Sequence, residues 1–178
     1  MIRLQDTVNI GTSYQYLALS HCWGNVQTTT LLTSASMQRY YTVIHLHELP
    51  KTFRRAVSIT RELGYRYLWI DSLCIIQDSE EDWKRESVRM GDIYRNSTCC
   101  IAAVASDDDD GGCFFSRNPL AYFPCRLGYS DGNEIIVIVK PAPEEYDYSN
   151  ESLDLSDKPL WSRAWVLQEM ALAPRTLI

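Results

Sequence analysis

Apolar residues in this chain fall into short unbroken runs separated by stretches with helical spacing, so strands and helices are predicted in alternation. Tyr16-Leu17-Ala18-Leu19-Ser20 is one such run, read as a buried strand that stops abruptly at His21-Cys22-Trp23-Gly24. A Thr-rich stretch follows, and then Pro50 can open a helix that Gly64 can close. Between them Phe53, Ala56, Val57 and Thr60 recur at three- and four-residue steps, which predicts one apolar stripe on an amphipathic helix. Tyr67-Leu68-Trp69-Ile70-Asp71 reads as a second strand, and Ser72 to Gln77 as a loop or a helical turn. Asp78 or Ser79 can cap the next helix, with Glu80, Glu81 and Asp82 at its positive end. Trp83, Ser87, Met90 and Tyr94 form its predicted inner stripe. Cys99 to Ala105 is apolar throughout, as a strand covered on both faces must be.

Strand, helix, strand, helix, strand is the order of an α/β fold with a parallel sheet and right-handed crossovers. The pattern breaks at Ser106. Residues 106–112 are an acidic, Gly-containing loop, expected to be solvated; as a calcium loop it fails, because Gly111 and Asn118 stand where oxygen ligands are needed. Glu134 to Lys140 reads as a strand, in a hairpin with Phe123 to Leu127 across Gly128 to Asn133. Residues 107–158 are accordingly read as an excursion carrying a β-hairpin. Leu160 to Leu172 is predicted as a helix with Ser162 its cap and Pro174 beyond its end. Arg175 to Ile178 reads as the start of a further strand, so residues 1–178 are expected to form a single domain cut short at its C-terminal strand.

Length and composition narrow the class. With 178 residues, 46% hydrophobic and 22% charged, the chain can bury a core of its own and is not a disordered polymer. A net charge of −6 argues against nucleic acid or an anionic membrane as the main partner. The N-terminal residues lack the apolar run of a signal peptide, and no stretch is long and apolar enough for a membrane span, so a cytoplasmic protein is expected. The six cysteines sit largely in strand-like contexts, as Cys74, Cys99 and Cys100 do, and read as free, small hydrophobes. No C-x-x-C pair is present, and the spacing of His21, Cys22, His45 and His47 fits no zinc signature, so no metal is expected.

In an open parallel sheet, ligands bind beyond the carboxyl ends of the strands. That rule brings Ser20, His21, Trp23 and Gly24 to one crevice with Asp71 and Ser106. Gly24 suits a tight turn, and Trp23 offers a flat face to a base or sugar. Glu169 lies among Trp165, Val166 and Leu172 at helical spacing, so its carboxylate is either paired or desolvated with a raised pKa. Arg163, Arg66 and Arg175 are the candidate partners. His45 and His47 are expected on the surface. A Ser20–His21–Asp71 triad, or a Cys nucleophile at Cys22 or Cys74, lacks a well-placed partner, and no G-x-S-x-G elbow, P-loop or G-x-G-x-x-G is present.

Several blocks of residues carry a resemblance. YLALSHCWG at 16–24, LPKTF at 49–53, LGYRYLWIDSLCIIQ at 63–77, Asp82-Trp83, Met90 with Tyr94, and LWSRAWVLQE at 160–169 running on to Pro174-Arg175 are similar to the fungal heterokaryon-incompatibility (HET) domain family. The departure is at His21 and Cys22, where the family usually has Tyr and a small polar residue. The resemblance implies a fungal intracellular domain whose activation kills the cell after incompatible hyphae fuse. More distantly, Trp165-Val-Leu-Gln-Glu169 resembles the W-x-x-x-E of Toll/interleukin-receptor (TIR) domains, which are flavodoxin-like and many of which cleave the nicotinamide–ribose bond of NAD. That likeness implies a flavodoxin-like sheet flanked by helices, NAD as substrate rather than cofactor, and Glu169 as the catalytic residue. It further implies that Ser20, His21, Trp23, Gly24, Asp71, Arg163 and Trp165 line the substrate site, and that the domain acts by self-association or with other death-signalling domains. The competing reading is a non-enzymatic interaction module in which Glu169 is an ion-pair member. A Cys-dependent hydrolase is the third.

Overall fold

Strand β1 (Tyr16–Ser20) is buried along nearly its whole length and has a parallel neighbour on each side, β2 (Tyr67–Trp69) and β3 (Cys99–Ala102). The computed structural model describes residues 1–7, 14–24, 30–114, 159–163 (Ser162 without its side chain) and 165–178, and the backbone of two strands within 125–137. Those two strands, β4 (Cys125–Ser130) and β5 (Asn133–Val137), pair antiparallel with a shift in register between Arg126 and Gly128. They belong to a separate unit, Phe115–Ser156; residues 1–114 and 157–178 make up the main one. The expected strand end at Ile138 to Lys140 lies outside the described residues.

The main sheet has the spatial order β2-β1-β3-β6, with β6 (Thr176–Leu177) parallel to β3. All four strands are parallel, and helices cover both faces. This is an α/β fold of the doubly wound kind, and its strand order reverses between β1 and β3. Strand alternation sorts the core. Leu17 and Leu19 of β1 turn to one face, where Phe53, Ala56 and Ile101 form a fully buried cluster. Ala18 turns to the other, against Met90, Tyr94 and Cys100. Burying a side chain such as Phe53 contributes about 1.5–3 kcal/mol.

Helices α1 (Met37–Thr42) and α2 (Lys51–Glu62) follow β1. Pro50 serves as the N-cap of α2 rather than its first helical residue, and Gly64 closes it at φ +81°. There Tyr65 N–H bonds Thr60 O and Gly64 N–H bonds Arg61 O, the paired bonds of a Schellman stop. Strand β2 is shorter than its apolar run, because Asp71 already starts the single turn α3 (Asp71–Cys74). Helix α4 (Glu80–Asn96) is capped by Ser79, whose Oγ accepts from Asp82 N–H at 3.2 Å. Met90 and Tyr94 of its expected stripe are buried, but Trp83 is 50% exposed.

Two expectations need correction. The segment predicted as one long helix is a 3-10 turn (Pro159–Ser162) followed by the short α5 (Val166–Ala171). Three-residue backbone bonds, Arg163 N–H to Leu160 O and Val166 N–H to Arg163 O, carry the chain between them. The acidic loop is also not simply solvated. Ser106 and Asp109 are buried, and the loop is fastened to α2 by bonds from Thr52 N–H to Asp109 O and from Gly112 N–H to Thr52 Oγ1. No helix among the described residues is long and apolar enough to cross a membrane.

Candidate functional site

Ser20 ends β1 on the same face as Ala18, so its hydroxyl turns toward the layer of α4 and α5. There Ser20 Oγ donates to Glu169 Oε2. Glu169 is in the first turn of α5, with its N–H bonded to Trp165 O, and none of its surface is exposed. Burial pushes its carboxyl pKa up and the Asp71 carboxylate adds to the rise; Arg163, the Ser20 hydrogen bond and His21 oppose it. The net direction is upward. Both alternatives read from position are therefore present, and burial outweighs pairing.

Arg163 is the partner among the three candidates. Its Nη1 donates to His21 O and lies 3.8 Å from Glu169 Oε1, while Nη2 lies 4.0 Å from Asp71 Oδ2. Asp71 is held in place by its position at the start of α3, where Oδ1 accepts from Ser72 N–H at 2.7 Å. Its other oxygen accepts from Trp23 Nε1 at 3.0 Å, which fixes the plane of that indole.

His21 points to the opposite face of β1, edge-on to Phe53 with ring centroids 5.0 Å apart. It is 1% exposed, with Nε2 3.1 Å from Asp109 Oδ1 and Nδ1 3.9 Å from Asp71 Oδ1. Neither ring nitrogen meets hydrogen-bond geometry with these carboxylates, and both Asp109 oxygens are without a hydrogen-bond partner. Gly24 makes the turn beyond Trp23 at φ +74°, and a Cβ there would stand 2.5 Å from Asp108 Cβ.

The structure thus joins Ser20, His21, Trp23, Asp71, Arg163 and Glu169 in one network at the carboxyl ends of β1 and β2, while Gly24 shapes the turn beside it. Trp165 makes the wall of an adjacent cleft of about 150 Å³, together with Trp23, Asp71, Gln77, Trp83 and Arg163. Asp109, Gln77 and the cleft-facing Trp83 were not singled out from sequence as site residues. Nothing in a run of four aspartates marks one of them as buried. Trp83 was legible as a member of a helical stripe and of a family block, not as a cleft residue.

The triad reading is not what forms. Ser20 is bonded to Glu169 and not to His21. The thiols fare no better as nucleophiles: burial pushes Cys74 up to about 11 and raises Cys22 and Cys100 as well. Cys22, Cys74, Cys99, Cys100 and Cys113 are free, and no metal-binding group of His, Cys, Asp and Glu occurs among the described residues.

The model of the heterokaryon incompatibility protein (HET) family matches residues 16–169, from the first residue of β1 to Glu169 itself. The chain belongs to the HET family. The matched span takes in every element of the network, so the HET domain has its buried carboxylate at the end of its family segment and Ser20 near the start. Membership assigns the chain to heterokaryon incompatibility. No curated protein and no solved structure gives a significant match.

Proposed function

We propose that this HET domain is a cell-death effector that hydrolyses the nicotinamide–ribose bond of NAD when assembled with further copies or with other death-signalling domains. The observation that carries the reading is Glu169: a fully buried carboxylate with a raised pKa, bonded to the end of the central strand and 3.8 Å from Arg163, which lines a tryptophan-walled cleft. Perturbed carboxylates at strand ends beside a cleft are where catalytic groups concentrate. The W-x-x-x-E string shared with TIR domains supplies the reaction class, and Trp165 and Glu169 are joined by the first backbone bond of α5.

The bond between ribose C1′ and the ring nitrogen breaks, and its electron pair leaves with nicotinamide, which departs neutral. The sugar left behind is oxocarbenium-like, and the ionised Glu169 stabilises its positive charge. Water then adds to C1′ and gives up a proton, leaving ADP-ribose. Trp23 and Trp165 flank the ring, while Asp71 and Ser20 hold Trp23 and Glu169 in place. His21 and Gly24 shape the crevice. In the structure Arg163 and Ser20 cover Glu169, so substrate reaches it only after Arg163 moves aside, which suits a domain active only in an assembled state.

The test is nicotinamide release from NAD by the purified chain, alone and fused to an oligomerising tag, beside Glu169→Gln. Release by the clustered wild type and none by the folded variant is expected. No release from either protein, clustered or not, overturns the hydrolase reading in favour of a non-enzymatic interaction module.

A further inference from the structure

Three tryptophans from three separate elements face one small cleft: Trp23 from the turn after β1, Trp83 from the start of α4 and Trp165 from the start of α5. Trp83 departs from the stripe to which its spacing assigns it. It stays half exposed, whereas Met90 and Tyr94 of the same stripe are buried. An indole left partly in water, lining the same cleft as a second indole whose Nε1–H donates to Asp71 at 3.0 Å, offers an apolar face to a flat ring.

The size and polarity of the slot narrow its occupant. At about 150 Å³ it falls below the ~300–1,000 Å³ of pockets that take whole drug-sized ligands, so it accepts one ring and not a dinucleotide. Gln77 spends its Nε2 hydrogens on Asp71 O at 3.1 Å and Ile75 O at 2.8 Å, so what it offers a ligand is the acceptor Oε1. Arg163, also on the cleft wall, offers only donors. One acceptor and one donor complement a primary carboxamide.

We infer that this cleft is the subsite for the pyridine-carboxamide ring, with Trp83 as its outer wall and the residue that selects an aromatic ring. The inference rests on the NAD reading above. The remainder of the substrate lies along the open groove of about 430 Å³ that shares Ser87 and Trp165 with the cleft and continues past Asp92 and Arg95.

The experiment titrates free nicotinamide into the full chain, followed by tryptophan fluorescence and calorimetry, in wild type, Trp83→Ala and Trp83→Phe. Nicotinamide binds the wild type, binding weakens roughly tenfold in Trp83→Ala, and Trp83→Phe restores most of it, because stacking needs only a ring. The melting temperature of Trp83→Ala stays near that of wild type, since the indole is already half in solvent. Equal affinity in wild type and Trp83→Ala, or no nicotinamide binding at all, overturns the inference. NAD cleavage whose KM is unchanged by Trp83→Ala also overturns it while leaving the hydrolase reading intact. Ring binding that depends on Trp83, in a clustered chain that cleaves no NAD, upholds the subsite and removes the reaction.

Discussion

Ser20 Oγ donates its hydrogen bond to Glu169 Oε2, tying the last residue of the central strand to the first turn of α5 across 149 positions of sequence. That single bond joins the two ends of the HET segment. It also holds a carboxylate in a place where ionisation is unfavourable, since burial is the largest influence on Glu169 and acts upward.

Stability against pH follows from that direction. A carboxyl whose folded pKa lies above its unfolded value binds more protons folded than unfolded in the window between the two. The folded state therefore loses stability as pH rises from the unfolded value of about 4.5 through the raised folded one. Glu169→Gln removes the penalty. Thermal unfolding of both proteins from pH 4 to pH 8 should show the variant gaining on wild type as pH rises. A variant that loses about 3–5 kcal/mol at neutral pH would instead mark Glu169 as a member of a net stabilising ion pair.

His21 and Asp109 form the second buried contact, and it fastens the acidic loop to β1. The approach falls outside hydrogen-bond geometry, so removing either partner takes from the other only the polar group it faces, at a cost of about 1–3 kcal/mol. His21→Ala and Asp109→Ala should each destabilise the domain. The double variant should cost clearly less than their sum, as a cycle of denaturant unfolding would reveal. Additive losses would mean that the 3.1 Å approach carries no energy.

Much of this architecture is written locally, and the site is not. The β1 run and the Schellman stop at Gly64 follow from near-neighbour chemistry and appear where their residues place them. The strand-end rule likewise brings Ser20, Trp23 and Asp71 to the same end of the sheet. What escapes is set by tertiary contact. Asp109 is set apart from Asp107, Asp108 and Asp110 by its burial beside His21, which no local pattern marks. The helix expected from Leu160 narrows to α5 because Arg163 reaches across to His21 O, Asp71 and Glu169, a demand no window of sequence contains.

The glycines offer a controlled comparison. Gly24 and Gly64 both have positive φ, +74° and +81°, but a Cβ on Gly64 meets open space while one on Gly24 strikes Asp108. Gly64→Ala should cost about 1 kcal/mol from backbone conformation alone. Gly24→Ala should cost about 1–3 kcal/mol more, because the backbone strain is compounded by a contact that the loop must move to relieve. Chemical denaturation of the two variants in parallel measures the difference directly, and equal losses would show that the Asp108 contact yields freely.

Under the proposed NAD hydrolysis, Arg163 decides how the carboxylate titrates. Its charge is the strongest influence holding the Glu169 pKa down against burial, with Nη1 3.8 Å from Oε1. Arg163→Ala should therefore raise that pKa further, and the ionised form that the proposed hydrolysis requires would appear only at higher pH. The acid limb of the kcat/KM profile for NAD should shift to higher pH in the variant, toward the alkaline side of wild type. A profile that keeps its acid limb in place while activity falls at every pH would show that Arg163 serves the substrate alone and does not set the charge of Glu169.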